Sequence, residues 1–368
     1  MKDESGITPG ARVAVAMSGG VDSSVTAALL KEAGYDVIGV TMTLWSCHQA
    51  KTSVKQTCCS TADVADARAV CDRLGIPHVI ADYRTEFRQQ VIDAFAAEYQ
   101  RARTPIPCIG CNQHFKFDRL WTTMHEEHGA QYLATGHYAR IQRDADGRAL
   151  GMWRGRDPRK DQSYYLFVIT ASQLAHSLFP IGDLTKPEVR NIAQRLGLQT
   201  AEKPESFEIC FVPDNDYAGF IEDHYPERAG APGALRDQEG QVVGQHRGTH
   251  AYTIGQRRGL GLGGGPRRYV TAIDPATREV TVGQREALLS NALFANQVNW
   301  IRPLGSPATP LTVHAKIRAN HEPAACVVTA QGDARVQVTF NEPQTAITPG
   351  QAVVWYDGDE VVGGGWIE

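Results

Sequence analysis

The feature that most constrains this chain is the stretch AVAMSGGVDSSVTAALL, Ala14 to Leu30. Small and apolar residues run straight into Ser-Gly-Gly, and a helix-like pattern begins at once. Glycines let backbone N–H groups approach a ligand closely. A helix starting just behind the loop turns its unbonded N–H groups and its positive dipole end toward the same point. Ser18, Ser23 and Ser24 add hydroxyl donors, and Asp22 is placed to help hold Mg2+. The stretch therefore predicts a buried strand, a phosphate-holding loop and a helix, with a ligand-free glycine turn as the alternative. It is not a Walker A loop: GxxxxGK[ST] is absent, and no lysine reaches toward a γ-phosphate.

The next hundred residues keep alternating. Strand patterns at Arg12–Ala16, Asp36–Met42, His78–Asp82 and Gln131–Thr135 are separated by helical patterns at Ser23–Ala33, Thr61–Leu74, Glu86–Arg101 and Asn112–His128. Such alternation implies an α/β fold, a doubly wound parallel sheet covered on both faces. Beyond about residue 215 long helical patterns disappear. Glycine and arginine become dense between Gly230 and Arg268, and from about Leu288 short strands follow one another. Alternation such as Val336, Val338, Phe340 suits a small antiparallel barrel or sandwich. The expected organisation is residues 1–215 as an ATP-binding catalytic domain, 216–285 as a small central domain and 286–368 as a C-terminal antiparallel β-barrel; 368 residues are too many for one typical domain.

Eight cysteines in a chain with a polar start, MKDESGITPG, read as thiols rather than a disulfide framework. No apolar run approaches the ~20 residues of a membrane span, so a cytoplasmic protein without a membrane partner is expected. The net charge of −4 argues against a uniformly basic surface and leaves room for a local one. Basic residues do cluster at Arg154, Arg156, Arg159 and Lys160, and again at Arg257, Arg258, Arg267 and Arg268.

Two cysteine-bearing stretches carry the remaining chemistry. In TPIPCIGCNQHFKFDRL, Thr104 to Leu120, a helical pattern starts right behind Cys111, and a helix dipole stabilises a thiolate at such a position. In KPESFEICFVPDNDY, Lys203 to Tyr217, Cys210 stands between Ile209 and Phe211. Taken alone, Cys210 reads as a small buried hydrophobe, and Cys108-x-x-Cys111 as half of a zinc site with Cys47, Cys58 or Cys59 as partners. The stretch WSCHQAKTSVKQTCC reads as an insertion near the site, and Cys71, on an amphipathic helix, as core; Cys326 has no assigned role.

SGGVDS resembles the signature of the PP-loop ATP pyrophosphatases, which cut ATP between its α- and β-phosphates and adenylate a carbonyl oxygen. Together with CN..FKF, ATGHYA (134–139), KDQSYYL (160–166), ESFEICF and YTIGQRRGLG (252–261), the chain resembles one family within them, the tRNA-specific 2-thiouridylases of the MnmA/TrmU type. That resemblance implies 2-thiolation of the wobble uridine, position 34, through adenylation of its C2 oxygen. It gives Cys210 the persulfide and makes Cys111 the nucleophile that releases the sulfur, the two ending as a disulfide. It assigns ATP to Ala16, Met17, Ser18, Gly19, Gly20, Val21, Asp22 and Ser23, with Met42 beside the adenine and Gly136 in the GHY turn. Ile106, Pro107 and Cys108 fall where the family contacts a flipped target base. Lys160, Asp161 and Gln162 fall on its tRNA-contacting KDQ, and Arg318 and Ala319 on its barrel contact, where this chain reads Arg-Ala-Asn instead of Arg-Tyr-Arg. The implied partners are tRNA and a persulfide sulfur carrier or cysteine desulfurase; the implied cofactors are ATP and Mg2+. Many members carry an acidic residue at Cys108. The thiol there opens a second reading, a [4Fe–4S] cluster on Cys108, Cys111 and Cys210. A third is another PP-loop enzyme adenylating a small molecule.

Overall fold

The computed structural model describes residues 7–45, 61–205, 209–212, 215–263, 265–302, 309–332 and 334–368. Strand β1 (Arg12–Ala16) lies at the centre of a parallel sheet between β2 (Asp36–Thr43) and β4 (Tyr132–Ala134). β3 (His78–Asp82) and β7 (Ser177–Leu178) complete the order β3-β2-β1-β4-β7. Successive residues of β1 face opposite sides. Val13 and Val15 point into a core shared with helices α1 (Val21–Glu32), α2 (Thr61–Leu74) and α6 (Lys186–Arg195), whereas Ala14 points into the core beneath two long helices, α3 (84–100) and α4 (107–128). With both faces covered, the strands have to be apolar throughout, which is why they read as continuous apolar runs.

Helix α3 runs over 84–100 and α4 over 107–128, each with a π-helical stretch within it. Pro107 occupies the first turn of α4, where its fixed φ and missing N–H are tolerated. The helix therefore begins before Cys108, earlier than the Asn112 start expected from its apolar pattern. α1 likewise starts at Val21 because the extended Gly20 is its N-cap.

A hairpin, β5 (Ala139–Arg143) and β6 (Ala149–Arg154), has no counterpart among the strands expected from sequence. It leaves the first domain and pairs with the last strand of the chain. After a short helix α5 (Ala171–Ala175), α6, and then α7 (Tyr217–His224), comes a small central sheet. It consists of β8 (Gly233–Arg236), β9 (Val242–His246), β10 (Tyr269–Asp274) and β11 (Glu279–Gly283) around Leu235, Val270, Val280 and Val282.

The remaining strands are β12 (Leu289–Trp300), β13 (Leu311–Lys316), β14 (Ala324–Ala330), β15 (Arg335–Thr345), β16 (Ala352–Asp357) and β17 (Glu360–Ile367). They pair in the order β12-β15-β14-β13-β16-β17, and β17 returns to β12, closing an antiparallel barrel. Val336, Val338 and Phe340 all point into it, with Trp355 fully buried. Closure resolves the choice between barrel and sandwich and removes the open edges of the ring. At its start β17 also pairs with β6, Glu360 opposite Trp153 and Val361 opposite Met152, so the first domain's hairpin extends the barrel sheet.

Candidate nucleotide and thiol site

The loop after β1 is held by its own strands before it turns. Met17 N–H donates to the Val40 carbonyl (2.8 Å), and its carbonyl accepts from Thr41 Oγ1 (2.9 Å). Gly19 then takes φ +70°, and its backbone lies so close to the Asp63 carbonyl that a Cβ would collide with it. Ser24 and Ser23 hydroxyls donate back to the Gly20 carbonyl (2.8 and 3.1 Å), and Ser23 Oγ accepts from Ser18 N–H (3.2 Å). Gly136, just after β4, closes the other side: a Cβ there would lie 2.8 Å from Asp22 C and Ser23 N. The chain leaves β1 for β2 on one side and reaches β4 by crossing back from β3. Their carboxyl ends therefore open a crevice at a change of strand order, the usual ligand position in such sheets. Val21 is buried beneath the loop, Ala16 is half-buried beside it, and Met42 is buried at the same end of β2. A cradle with no room for side chains at 19 and 136, and a helix N-terminus opening from it, fit the phosphates of ATP.

The lysine missing from the motif is supplied from far along the chain. Lys186, at the start of α6 and 7% exposed, donates to both Asp22 oxygens (2.8 Å each) and lies 3.1 Å from Glu205 Oε1. Glu205 Oε2 accepts from Lys160 (2.5 Å), and the Tyr138 hydroxyl donates to Asp22 (2.8 Å). On the other flank Lys203 donates to the Gly19 carbonyl (3.0 Å), Asp63 (2.7 Å) and Asp66 (2.5 Å). Burial works to raise the Glu205 carboxyl, but hydrogen bonds from Lys160 and Lys186 outweigh it and hold the pKa below the ordinary value. Burial and then the Asp22 charge push the Tyr138 phenol up, so it stays a donor. Burial, with Lys116 alongside, keeps His137 well below the ordinary imidazole value, hence neutral. Lys186, Lys203, Tyr138 and Glu205 were not assigned from sequence. Asp22, bonded to Lys186 and Tyr138, is here an ion-pair partner rather than an open metal ligand.

The two cysteine segments meet on one aromatic ring. Phe115, four residues after Cys111 on α4, packs edge-on against Phe87 of α3 (5.3 Å between centroids), and Phe211, next to Cys210, packs against the same Phe87 (6.0 Å). Cys111 and Cys210 are both half-buried against this core, while Cys108 is exposed. Since α4 begins at Pro107, Cys108 stands in its first turn and Cys111 one turn further in; the dipole argument made for Cys111 applies to Cys108. Beside them Asn112 is buried. Its side-chain N–H donates to the Tyr165 carbonyl (3.0 Å), and its oxygen has no partner among the described residues. No three His, Cys, Asp or Glu side chains among the described residues are grouped to hold a metal ion. Cys47, Cys58 and Cys59 lie outside the described residues; Cys71 and Cys326 are buried.

Three family models match in sequence. Residues 11–214 match the tRNA methyl transferase HUP domain, 218–284 the tRNA methyl transferase PRC-barrel domain and 290–367 the aminomethyltransferase beta-barrel domain. A tRNA-specific 2-thiouridylase MnmA from Geobacter metallireducens is 52% identical over 97% of this chain and 96% of its own length. One from Geotalea uraniireducens is 50% identical over 97% and 95%. This chain belongs to the tRNA-specific 2-thiouridylase family. Among solved structures, a 4-thiouridine synthetase–RNA complex with bound ATP is a distant, partial likeness, with a TM-score of 0.36 and 19% identity over 56% of this chain and 46% of that one. Among the described residues no helix is long and apolar enough to cross a membrane.

The other positions picked out by the thiouridylase resemblance divide into inward and outward ones. The Asp161 side chain is buried, accepting from Arg154 Nε (3.2 Å) and from the Gly155 and Ser163 N–H groups (3.0 and 3.1 Å). Gln162 accepts from Tyr138 N–H (3.0 Å), and Arg156 pairs with Glu188 (3.0 Å). Arg257, Arg258 and Arg267 are exposed on the central domain; Arg159 is exposed as well, and Arg268 is half-buried. Ile106 is the N-cap of α4, and the strand of chain before it is tied down from two sides. Thr104 N–H donates to the Pro349 carbonyl (2.8 Å), its carbonyl accepts from Gln351 (2.9 Å), and its hydroxyl bonds that of Thr253 (3.3 Å). The three expected domains meet here around a cavity of about 400 Å3 lined by Thr104, Thr253, Tyr269, Arg285, Arg318 and Gln351. Arg318 donates to the Thr345 carbonyl (3.0 Å), and Ala319 packs against the main core.

Proposed function

We propose that this protein is an ATP-dependent tRNA-uridine 2-sulfurtransferase acting on the wobble uridine. The observation that carries the proposal is the meeting of the Cys111 and Cys210 segments on Phe87, in a chain otherwise like curated thiouridylases along nearly its whole length. ATP, when bound with Mg2+ on its phosphates, supplies the adenylyl group that makes the uridine C2 oxygen a leaving group, with pyrophosphate released. The Gly19–Ser24 turn and the Lys186 ammonium offer the donors a polyphosphate needs. Ile106, Pro107 and Cys108 border the target base, and the clamps on Thr104 hold that border still.

Cys210 carries the terminal sulfur as a persulfide. Its sulfur attacks C2 and AMP leaves; the Cys111 thiolate then attacks Cys210 Sγ. The S–S bond breaks toward C2, leaving the thiocarbonyl on the base and a Cys111–Cys210 disulfide. A thiol reductant reopens that disulfide by exchange, and a persulfide carrier or cysteine desulfurase reloads Cys210. Exposed Arg257, Arg258 and Arg267, with Arg318 in the cavity, supply cations for the RNA backbone, so binding weakens steeply with salt.

The test is mass spectrometry of tRNA from cells lacking this chain. Loss of 2-thiouridine derivatives with other thionucleosides intact is the expected result; unchanged 2-thiouridine sinks the reading.

A further inference from the structure

We infer that Lys203 is a positioning residue of the phosphate loop, fixing the Gly19 carbonyl and neutralising Asp63 and Asp66 so that the loop accepts a polyphosphate. The inference rests on the ATP reading above. Three contacts converge on one ammonium: Gly19 O at 3.0 Å, Asp63 Oδ1 at 2.7 Å and Asp66 Oδ2 at 2.5 Å. Asp63 and Asp66 are three residues apart at the start of α2 and so share a face. The backbone of that turn abuts Gly19, the tightest point of the loop. Acidic residues suit a helix N-terminus, but here two carboxylates border a cradle meant for anions. Uncompensated, they would repel incoming phosphates at close range. An ammonium bonded to both removes most of that field.

The same ammonium acts on backbone geometry. A trans peptide presents its C=O and the next N–H on opposite sides. Holding Gly19 O on Lys203 therefore fixes the Gly20 N–H facing away from Lys203 and α2. An ordinary surface ion pair would do neither, and its loss would leave nucleotide affinity alone. Burial favours the uncharged amine, yet the bonds to Asp63 and Asp66 outweigh it and raise the Lys203 pKa. Lys203 also opens the segment that carries Cys210, so one side chain ties that segment to the loop.

The test reads the affinity of the full chain, without tRNA, for α,β-methylene ATP by calorimetry, with melting temperatures alongside. K203M is expected to bind about tenfold or more weakly, and D63N/D66N to stay within about threefold of wild type. The triple variant K203M/D63N/D66N recovers part of the loss, because the repulsion has gone with the carboxylates, and the rest is the lost hold on the Gly19 carbonyl. K203R, which keeps the charge, binds more tightly than K203M and carries the comparison if K203M does not fold. K203M affinity equal to wild type, or a triple variant no tighter than K203M, overturns the inference. A wild-type chain that does not bind the analogue overturns the ATP reading and this inference with it, which separates the two failures.

Discussion

The phosphate loop and the meeting of the two cysteine segments are built by opposite means. The loop is local: Ser18 to Ser24 bond one another within a few residues, and two glycines set how closely the walls approach. The meeting of the cysteine segments is remote. Segments whose cysteines stand 99 positions apart in the sequence come together because α3 lays Phe87 between Phe115 and Phe211. A local site is specified by its own motif and stays rigid at little cost in loop entropy. A remote one depends on a hydrophobic core far larger than itself, and its two halves can be altered separately.

The strongest break of this comparison comes from the cysteines. C111S or C210S should lower thiolation by about a thousandfold or more, while ATP-analogue affinity stays within about twofold. 2-Thiouridine in tRNA from cells carrying only the variant reads the first, calorimetry the second; a large fall in nucleotide affinity would mean the two sites are not separable. G136V is the converse. Its Cβ meets backbone rather than a yielding side chain, so affinity should fall by about 3 kcal/mol, roughly a hundredfold, with alkylation rates of Cys111 and Cys210 unchanged. K186M leaves Asp22 and Glu205 short of their shared cation. It should cost about 2 kcal/mol of stability in denaturant titrations and weaken nucleotide binding; a variant as stable as wild type would show that the pair is not worth its burial. The smallest effect is in acid. The Glu205 carboxyl is held below its ordinary 4.5. Its contribution is therefore complete above pH 4.5 and lost as pH falls through the lowered value. The melting temperature of E205Q should fall less steeply than that of wild type below pH 4.5, and parallel curves would remove Glu205 from the account.

The local site was also the legible one. The limits of β1, α2 and β3 agree with the expected runs, because each is an uninterrupted pattern ended by glycine or charge. α4 differed at its start, since the apolar period begins at Phe115 whereas the helix is opened by Pro107. The β5–β6 hairpin is hard to read because the alternation of β5 lasts only from Ala139 to Gln142 before polar Arg143 and Asp144 end it; the Asp146-Gly147 turn is the available signal. Lys186 sits in Thr185-Lys-Pro-Glu188, where Thr185 N–H and hydroxyl both donate to Glu188. That string announces a helix start and says nothing of Asp22, 164 positions earlier. Lys203 and Glu205 are equally mute, since a lysine's partner is decided by where the fold carries it. The roles given to Cys111 and Cys210 come from the resemblance; the residues alone offer a helix-start thiolate at Cys111, a position that the Pro107 start gives to Cys108 instead.

The β6–β17 pairing bears on how the chain is born. The hairpin emerges from the ribosome with the first domain, but the strand that covers it is made about 200 residues later. At 5–20 residues per second that is roughly 10–40 s during which a sheet edge waits exposed. Synthesis arrested near the end would release a product whose nucleotide half is finished and whose edge is open to any stray strand, a natural substrate for chaperones.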